Sequence, residues 1–258
     1  MLRRTELIYG FNVRGTDGDV GTVQDFYFDP ETWDLRYIVV TAGDWLDGQR
    51  MLISVEAVHR PDWEAETIRT SLTRQQIEDS PDVDLTTSVS AESLSDLHAY
   101  YGWTWWGGPG VQPGPVVTPM LVPPPPMAEE EKGTTSSEQT EVDEEPRLRS
   151  VRGVSGYRIH AKDGDIGYST DFFVETANWD IHYMLVDTGT WLSGREVLVS
   201  TDWIEEIRLG ERRIHVDLER EEVRNSPEYD FEGPVDREYE TLLHQHYRRE
   251  GYWQHLGH

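Results

Sequence analysis

The sequence predicts a mainly β chain with short helices: two small antiparallel β-barrels, each with appended C-terminal helices, joined by a disordered linker. Three observations carry that prediction. First, shifting the 258-residue chain by 146 positions aligns Gly10–Asp84 with Gly156–Asp230 without a gap, with about 23 of 75 positions identical. Second, each copy reads as short β-branched and aromatic runs separated by turn residues. Third, a Pro/Gly-rich and then acidic stretch, WWGGPGVQPGPVVTPMLVPPPPMAEEEKGTTSSEQTEVDEEP, lies between the copies. Its prolines favour extended, solvated chain, and its acidic half has almost nothing apolar to offset the entropy of ordering. The expected organisation is repeat one over 1–103, a flexible linker over 104–147 that tethers two stable halves, and repeat two over 148–258.

The elements follow in order. In copy one, Val20–Phe28, Leu35–Ala42 and Arg50–Ser54 have strand composition. Copy two offers IHYMLVDT, EVLVS and EIRLGERRIHVDL, the last folding back at a Gly210-Glu211 turn. Four to six such strands per copy suit a small barrel or sandwich. Strand character then stops. Thr73 caps a short helix, with Gln76 completing a capping box, and Pro81 ends it, as Pro227 does in copy two. A second helix follows in each copy. Leu94, Leu97 and Tyr101 form one apolar stripe, and Tyr239, Leu242, Leu243 and Tyr247 the other, each predicted to pack on its barrel.

Composition excludes several classes. Lys plus Arg total 23 against 49 Asp plus Glu, a net charge of -26, and no region is basic. A nucleic-acid or anionic-membrane footprint is therefore not expected. There are no cysteines, which removes disulfides, thiolate metal sites and cysteine nucleophiles. No signal peptide and no apolar run long enough for a membrane span occur, so a soluble cytoplasmic protein is expected.

The duplicated stretch TDGDVGTVQDFYFD (KDGDIGYSTDFFVE in copy two) is the first candidate site. As a calcium loop it fails, because Gly21, Val23 and Phe28 stand where ligands belong. Asp17-Gly18 reads instead as a hairpin turn, and Gly21 as a bulge or a close backbone crossing. The recurring Asp25/Asp171 and Asp34/Asp180 invite an acid–base reading, but a carboxylate beside a strand more often caps a backbone amide. Of nine histidines only His98 recurs, as His244, and His244 and His246 lie two apart on a helix, on different faces. No nucleophile elbow and no phosphate loop occurs, and lysine is nearly absent. No catalytic, cofactor or metal residue is assigned, and no cofactor is expected. Ten tryptophans remain. Trp45 and Trp191 hold matched positions, and Trp103, Trp105 and Trp106 cluster where the linker begins; these five are the candidate interaction residues. Trp33/Trp179 are read as core or turn packing.

The order TDGDVGTVQDFYFDPETWDLRYIVV, GDWLDGQRMLIS, LTRQQIEDSPDVD resembles PRC-barrel domains, and copy two carries the same resemblance. These are named for the cytoplasmic part of the photosynthetic reaction-centre H subunit and also occur at the C-terminus of the ribosome maturation factor RimM. The resemblance implies a bent barrel that acts through protein contacts rather than chemistry, in the free-standing tandem bacterial form. The expected function is a non-enzymatic interaction, assembly or regulatory (including stress-related) module with a protein partner. No nucleic acid and no membrane insertion are expected, and self-association is left open. Two alternatives stand beside it: a reaction-centre-associated, H-subunit-like cytoplasmic protein, and a metal- or ligand-binding protein or enzyme using the acidic turns and tail histidines.

Overall fold

The computed structural model describes residues 2–46, 48–85, 89–105, 148–189, 194–229 and 234–254. The linker assignment beyond Trp105 lies outside these residues, as do Trp106 and Trp191. Copy one contributes β1 (Leu2–Arg4), β2 (Asn12–Arg14), β3 (Asp19–Phe28), β4 (Leu35–Ala42), β5 (Arg50–Ser54), β6 (Thr67–Arg69), α1 (Arg74–Glu78) and α2 (Ala91–Tyr101). Copy two contributes β7 (Arg149–Ser150), α3 (Val151–Val154), β8 (Arg158–Ala161), β9 (Gly164–Glu175), β10 (Asp180–Asp187), β11 (Glu196–Ser200), β12 (Ile204–Arg208), β13 (Arg213–Val216), α4 (Arg220–Arg224) and α5 (Arg237–Tyr247).

Each copy forms one sheet, in the order β5-β4-β3-β2-β6 and β11-β10-β9-β8-β13-β12. The pairings are antiparallel except one in each copy, β2 with β6 and β8 with β13, which are parallel. The hydrogen-bonded path is open among the described residues, with no pairing between its end strands. The interior is apolar as the strand composition demands: Val23, Phe26, Ile38, Val40 and Ile53 in copy one are fully buried, as are Phe172, Met184, Val186 and Val199 in copy two.

The duplicated turn explains itself. Gly18 and Gly164 have φ of 151° and 141°, conformations glycine adopts without a Cβ penalty. Gly21 and Gly167 sit where the backbone crosses: a Cβ would lie 2.0 Å from the Thr41 carbonyl oxygen and 2.1 Å from that of Asp187. Side chains of Asp17 and Asp163 accept from the first amides of α1 and α4, Arg74 and Arg220, each at 2.8 Å. These aspartates thus fasten the β2–β3 and β8–β9 turns to the short helices. The Thr73–Gln76 capping box is present. In the β12–β13 turn the left-handed residue is Arg212 (φ 50°) rather than Gly210, so the reversal spans four residues instead of two.

The copies do not sit apart on a tether. β1, which opens the chain, pairs with β9 of copy two, and β7, which opens copy two, pairs with β3 of copy one. Phe26 lies 6.3 Å from Trp179 and Trp33 lies 6.0 Å from Phe172, ring centre to ring centre. The amide of Leu35 donates to the Trp179 carbonyl and that of Ile181 to the Trp33 carbonyl, both at 2.9 Å. Such reciprocity, in which residue i meets j and the counterpart of j meets that of i, marks an isologous interface of the kind found in two-fold dimers. Here it is built within one chain, and one apolar core runs through both copies.

Candidate interaction surface and its buried supports

Asp25 and Asp171 are placed by a bulge. The register of β3 with β4 slips at Gln24, and that of β9 with β10 slips at Thr170, each one residue before the aspartate. A bulge re-aims the following side chain. Here it turns each carboxylate toward the segment that opens the other copy. Asp25 accepts from the Ser150 hydroxyl and, at 3.1 Å, from the Arg152 amide. Asp171, only 3% exposed, accepts from the Thr5 hydroxyl, from Arg4 Nε at 2.8 Å and from the Glu6 amide at 3.3 Å. Each also accepts from the amide that follows it, at 2.8 Å. The capping reading of these residues holds; the amides they cap lie across the interface as well as next door. Burial raises the Asp25 pKa, and the Ser150 and backbone hydrogen bonds oppose that rise.

Asp34 and Asp180 meet at the interface, where an isolated antiparallel bridge joins their backbones. Burial first, and then the Asp34 carboxylate, push the Asp180 pKa up to about 6. Arg36 pairs with Asp34 at 2.9 Å, and Asn178 donates to Asp180. This carboxylate pair is formed from the same repeat position in each copy. Beside it, Trp33 and Trp179 hold φ of 63° and 67° and are 7% and 4% exposed. A positive φ on a bulky side chain costs on the order of 1–3 kcal/mol and persists where surroundings enforce it. The two carbonyls aimed across the interface supply that enforcement. Turn packing is thus confirmed for this pair.

The recurring histidines are interior. His98 and His244 are each 2% exposed. His98 Nε2 contacts the Tyr37 hydroxyl, and His244 Nε2 lies 2.9 Å from that of Tyr183. His244 Nδ1 lies 2.9 Å from the Glu250 carbonyl, which can only accept, so the proton sits on Nδ1 and Nε2 accepts from Tyr183. Burial lowers the pKa of both histidines and keeps them neutral. Copy two adds a carboxylate: Glu240 lies 3.2 Å from the Tyr183 hydroxyl and accepts from Tyr252 at 2.9 Å, with Arg237 at 3.2 Å. Leu94 holds the corresponding place in copy one. His246 points elsewhere, its Nε2 2.8 Å from the Glu222 carbonyl. No cluster of three or more metal-ligating side chains occurs among the described residues.

The candidate tryptophans separate. Trp45 is half-buried, donates from Nε1 to the Val20 carbonyl at 2.8 Å, and carries the Arg74 guanidinium 5.4 Å from its ring centre. Trp103 stacks on Tyr101 at 4.1 Å and meets His98 edge-on at 5.8 Å; Trp105 meets His98 at 5.3 Å. Both therefore fold back on their own copy. Copy two fills the same space from another point in the chain. Trp203 lies 4.5 Å from Tyr247 and 5.1 Å from His244, and Trp253 lies 5.0 Å from His244. The repeat counterpart of Trp203 is Ala57, and that of Trp103 is Arg249, whose guanidinium lies over Trp203 at 5.6 Å. The filler comes from the turn after β11 in copy two and from the segment after α2 in copy one, while the slot has stayed. On α5, Leu243 and Tyr247 face inward as expected, but Leu242 is 53% exposed. A 100° step per residue puts it away from the 239–243–247 face.

Residues 3–70 match the family model of the PRC-barrel domain. No curated protein matches the chain. No helix among the described residues is long and apolar enough to cross a membrane. The match runs from β1 to the residue after β6, the whole of the first sheet's own strands, and the chain therefore carries a PRC-barrel domain in residues 3–70.

Proposed function

We propose that this chain is a non-enzymatic tandem PRC-barrel protein, a cytoplasmic interaction or assembly module whose two copies present their outer surfaces to a protein partner as one body. The observation that supports this most is where the recurring polar residues go. Asp17/Asp163 hold helices, Asp25/Asp171 hold the opposite copy, and His98/His244 are sealed behind aromatic rings. Each is committed to a structural bond, which leaves surface recognition to residues outside these recurring polar pairs. Trp45, with Arg74 above it, is the duplicated aromatic on the described surface and the first contact to test.

The test is affinity capture with the full chain from native cytoplasm, followed by reconstitution with the purified partner. A stoichiometric partner whose binding falls at least tenfold in Trp45→Ala supports the reading. Failure of any captured protein to rebind when purified contradicts it. At a finer level, a pigment–protein complex as partner assigns the H-subunit-like role that the resemblance raises, whereas a stress or maturation factor assigns a regulatory one.

A further inference from the structure

The two copies provide an internal comparison, and they differ most sharply in charge at one end of the sheet. In copy one the parallel strands β2 and β6 place Arg14 directly beside Arg69. Val13 and Ile68, one residue earlier, are both buried, while Arg14 and Arg69 are both exposed, so the two guanidinium groups share one face. Adjacent strands are about 4.8 Å apart, and like charges at facing positions are destabilising. Asp19 offsets part of this, 3.5 Å from Arg14 Nε. The Arg69 side chain has no ion pair or hydrogen bond among the described residues, and exposed His59 and Arg60 adjoin it, His59 donating its amide to the Arg69 carbonyl at 2.8 Å.

Copy two resolves the same position differently. Its facing pair is His160 and His215, rings 5.2 Å apart, and Asp165 accepts from Arg158 and contacts His160 at 2.7 Å. His59 and Arg60 become Glu205 and Glu206, and Thr16 and Ser71 become Lys162 and Asp217, which pair with each other. The second copy thus neutralises internally what the first leaves cationic. In copy one the exposed arginines open onto a cleft of about 480 Å³ lined by Arg14, Gly15, Thr16, His59, Arg69 and Ser71. That volume suits a small molecule.

We propose that this cleft binds a phosphoryl group, either inorganic phosphate or a small phosphomonoester, between the Arg14 and Arg69 guanidinium groups, with Thr16 as a hydroxyl donor. Two planar forks on one face match a tetrahedral dianion, which also removes the repulsion between them. The cleft adjoins the Trp45–Arg74 surface without sharing its residues: Asp19 pairs with Arg14 and its carbonyl accepts from Arg74 Nε at 2.6 Å. In a chain of net charge -26 the long-range field opposes any anion, so uptake depends on this local pair.

The experiment is calorimetric titration of phosphate, and in a second arm glycerol phosphate, into the full chain at constant ionic strength set with chloride. The expected result is saturable one-to-one binding in at least one arm, weakened tenfold or more in Arg69→Gln and in Arg14→Gln and unchanged in the copy-two control His215→Gln. The arm with the tighter binding identifies the source. Because both arginines are exposed the variants should fold, and in phosphate-free buffer Arg69→Gln should melt no lower than the parent. Absence of saturable binding in both arms overturns the proposal, as does binding that survives both arginine substitutions.

Discussion

Asp180 shows how a single residue acquires a property that its sequence position does not reveal. Both it and Asp34 were visible as a repeated pair, but only the interface brings them together and raises the Asp180 pKa to about 6. A carboxyl whose folded pKa lies above its unfolded value binds more protons when folded. Its contribution to stability is present below the unfolded pKa and is lost as pH rises through about 6. His182, lowered to about 4 by burial and then by Arg237, runs the other way, stabilising above its unfolded pKa and less so as pH falls. The difference between parent and Asp180→Asn isolates the first effect. The variant should melt higher than the parent at pH 7, and the gap should close between pH 6 and 4; a gap independent of pH would refute the assignment. Gly21 was more legible, because a glycine inside a strand pattern signals close backbone approach. With a Cβ 2.0 Å from a carbonyl oxygen, Gly21→Ala should cost about 3 kcal/mol or more in denaturant unfolding.

Strands, turns and the Thr73 capping box could be read directly, since periodicity and turn chemistry are local signals. β3, β4 and β5 lie within one residue of the predicted bounds. What could not be read are the elements whose partners are distant. β1 and β7 are three and two residues long, too short to show a period, and each pairs with the other copy. The exchange of Ala57 and Trp203 is hidden for the same reason, because a shifted alignment marks Trp103 as unmatched although its slot is shared. Two outcomes follow at this scale. Asp171→Ala strips the acceptor from buried Thr5 and from Arg4, and should lower stability by about 3–5 kcal/mol. Trp203→Ala should cost about 3–5 kcal/mol, and Trp103→Ala less, because Trp203 is 2% exposed and Trp103 only half-buried.

For the molecule as a whole, duplication was the strongest signal in the sequence, and its consequence is a dimer-like body within one chain. The exchanged strands, the aspartate clasps, the strained tryptophan turns and the shared core all lie on the seam between the copies. Outer surfaces of the two copies are then fixed relative to one another. A dimer also needs no covalent link once formed, so the connection between the copies is dispensable for holding them together. The most direct measurement places a specific protease site within 106–147, cleaves it, and compares size-exclusion elution and calorimetric unfolding before and after. Co-elution of the two fragments at the parent position, with a single unfolding transition, is the predicted result. Separate elution of two fragments, each with its own transition, would contradict the account.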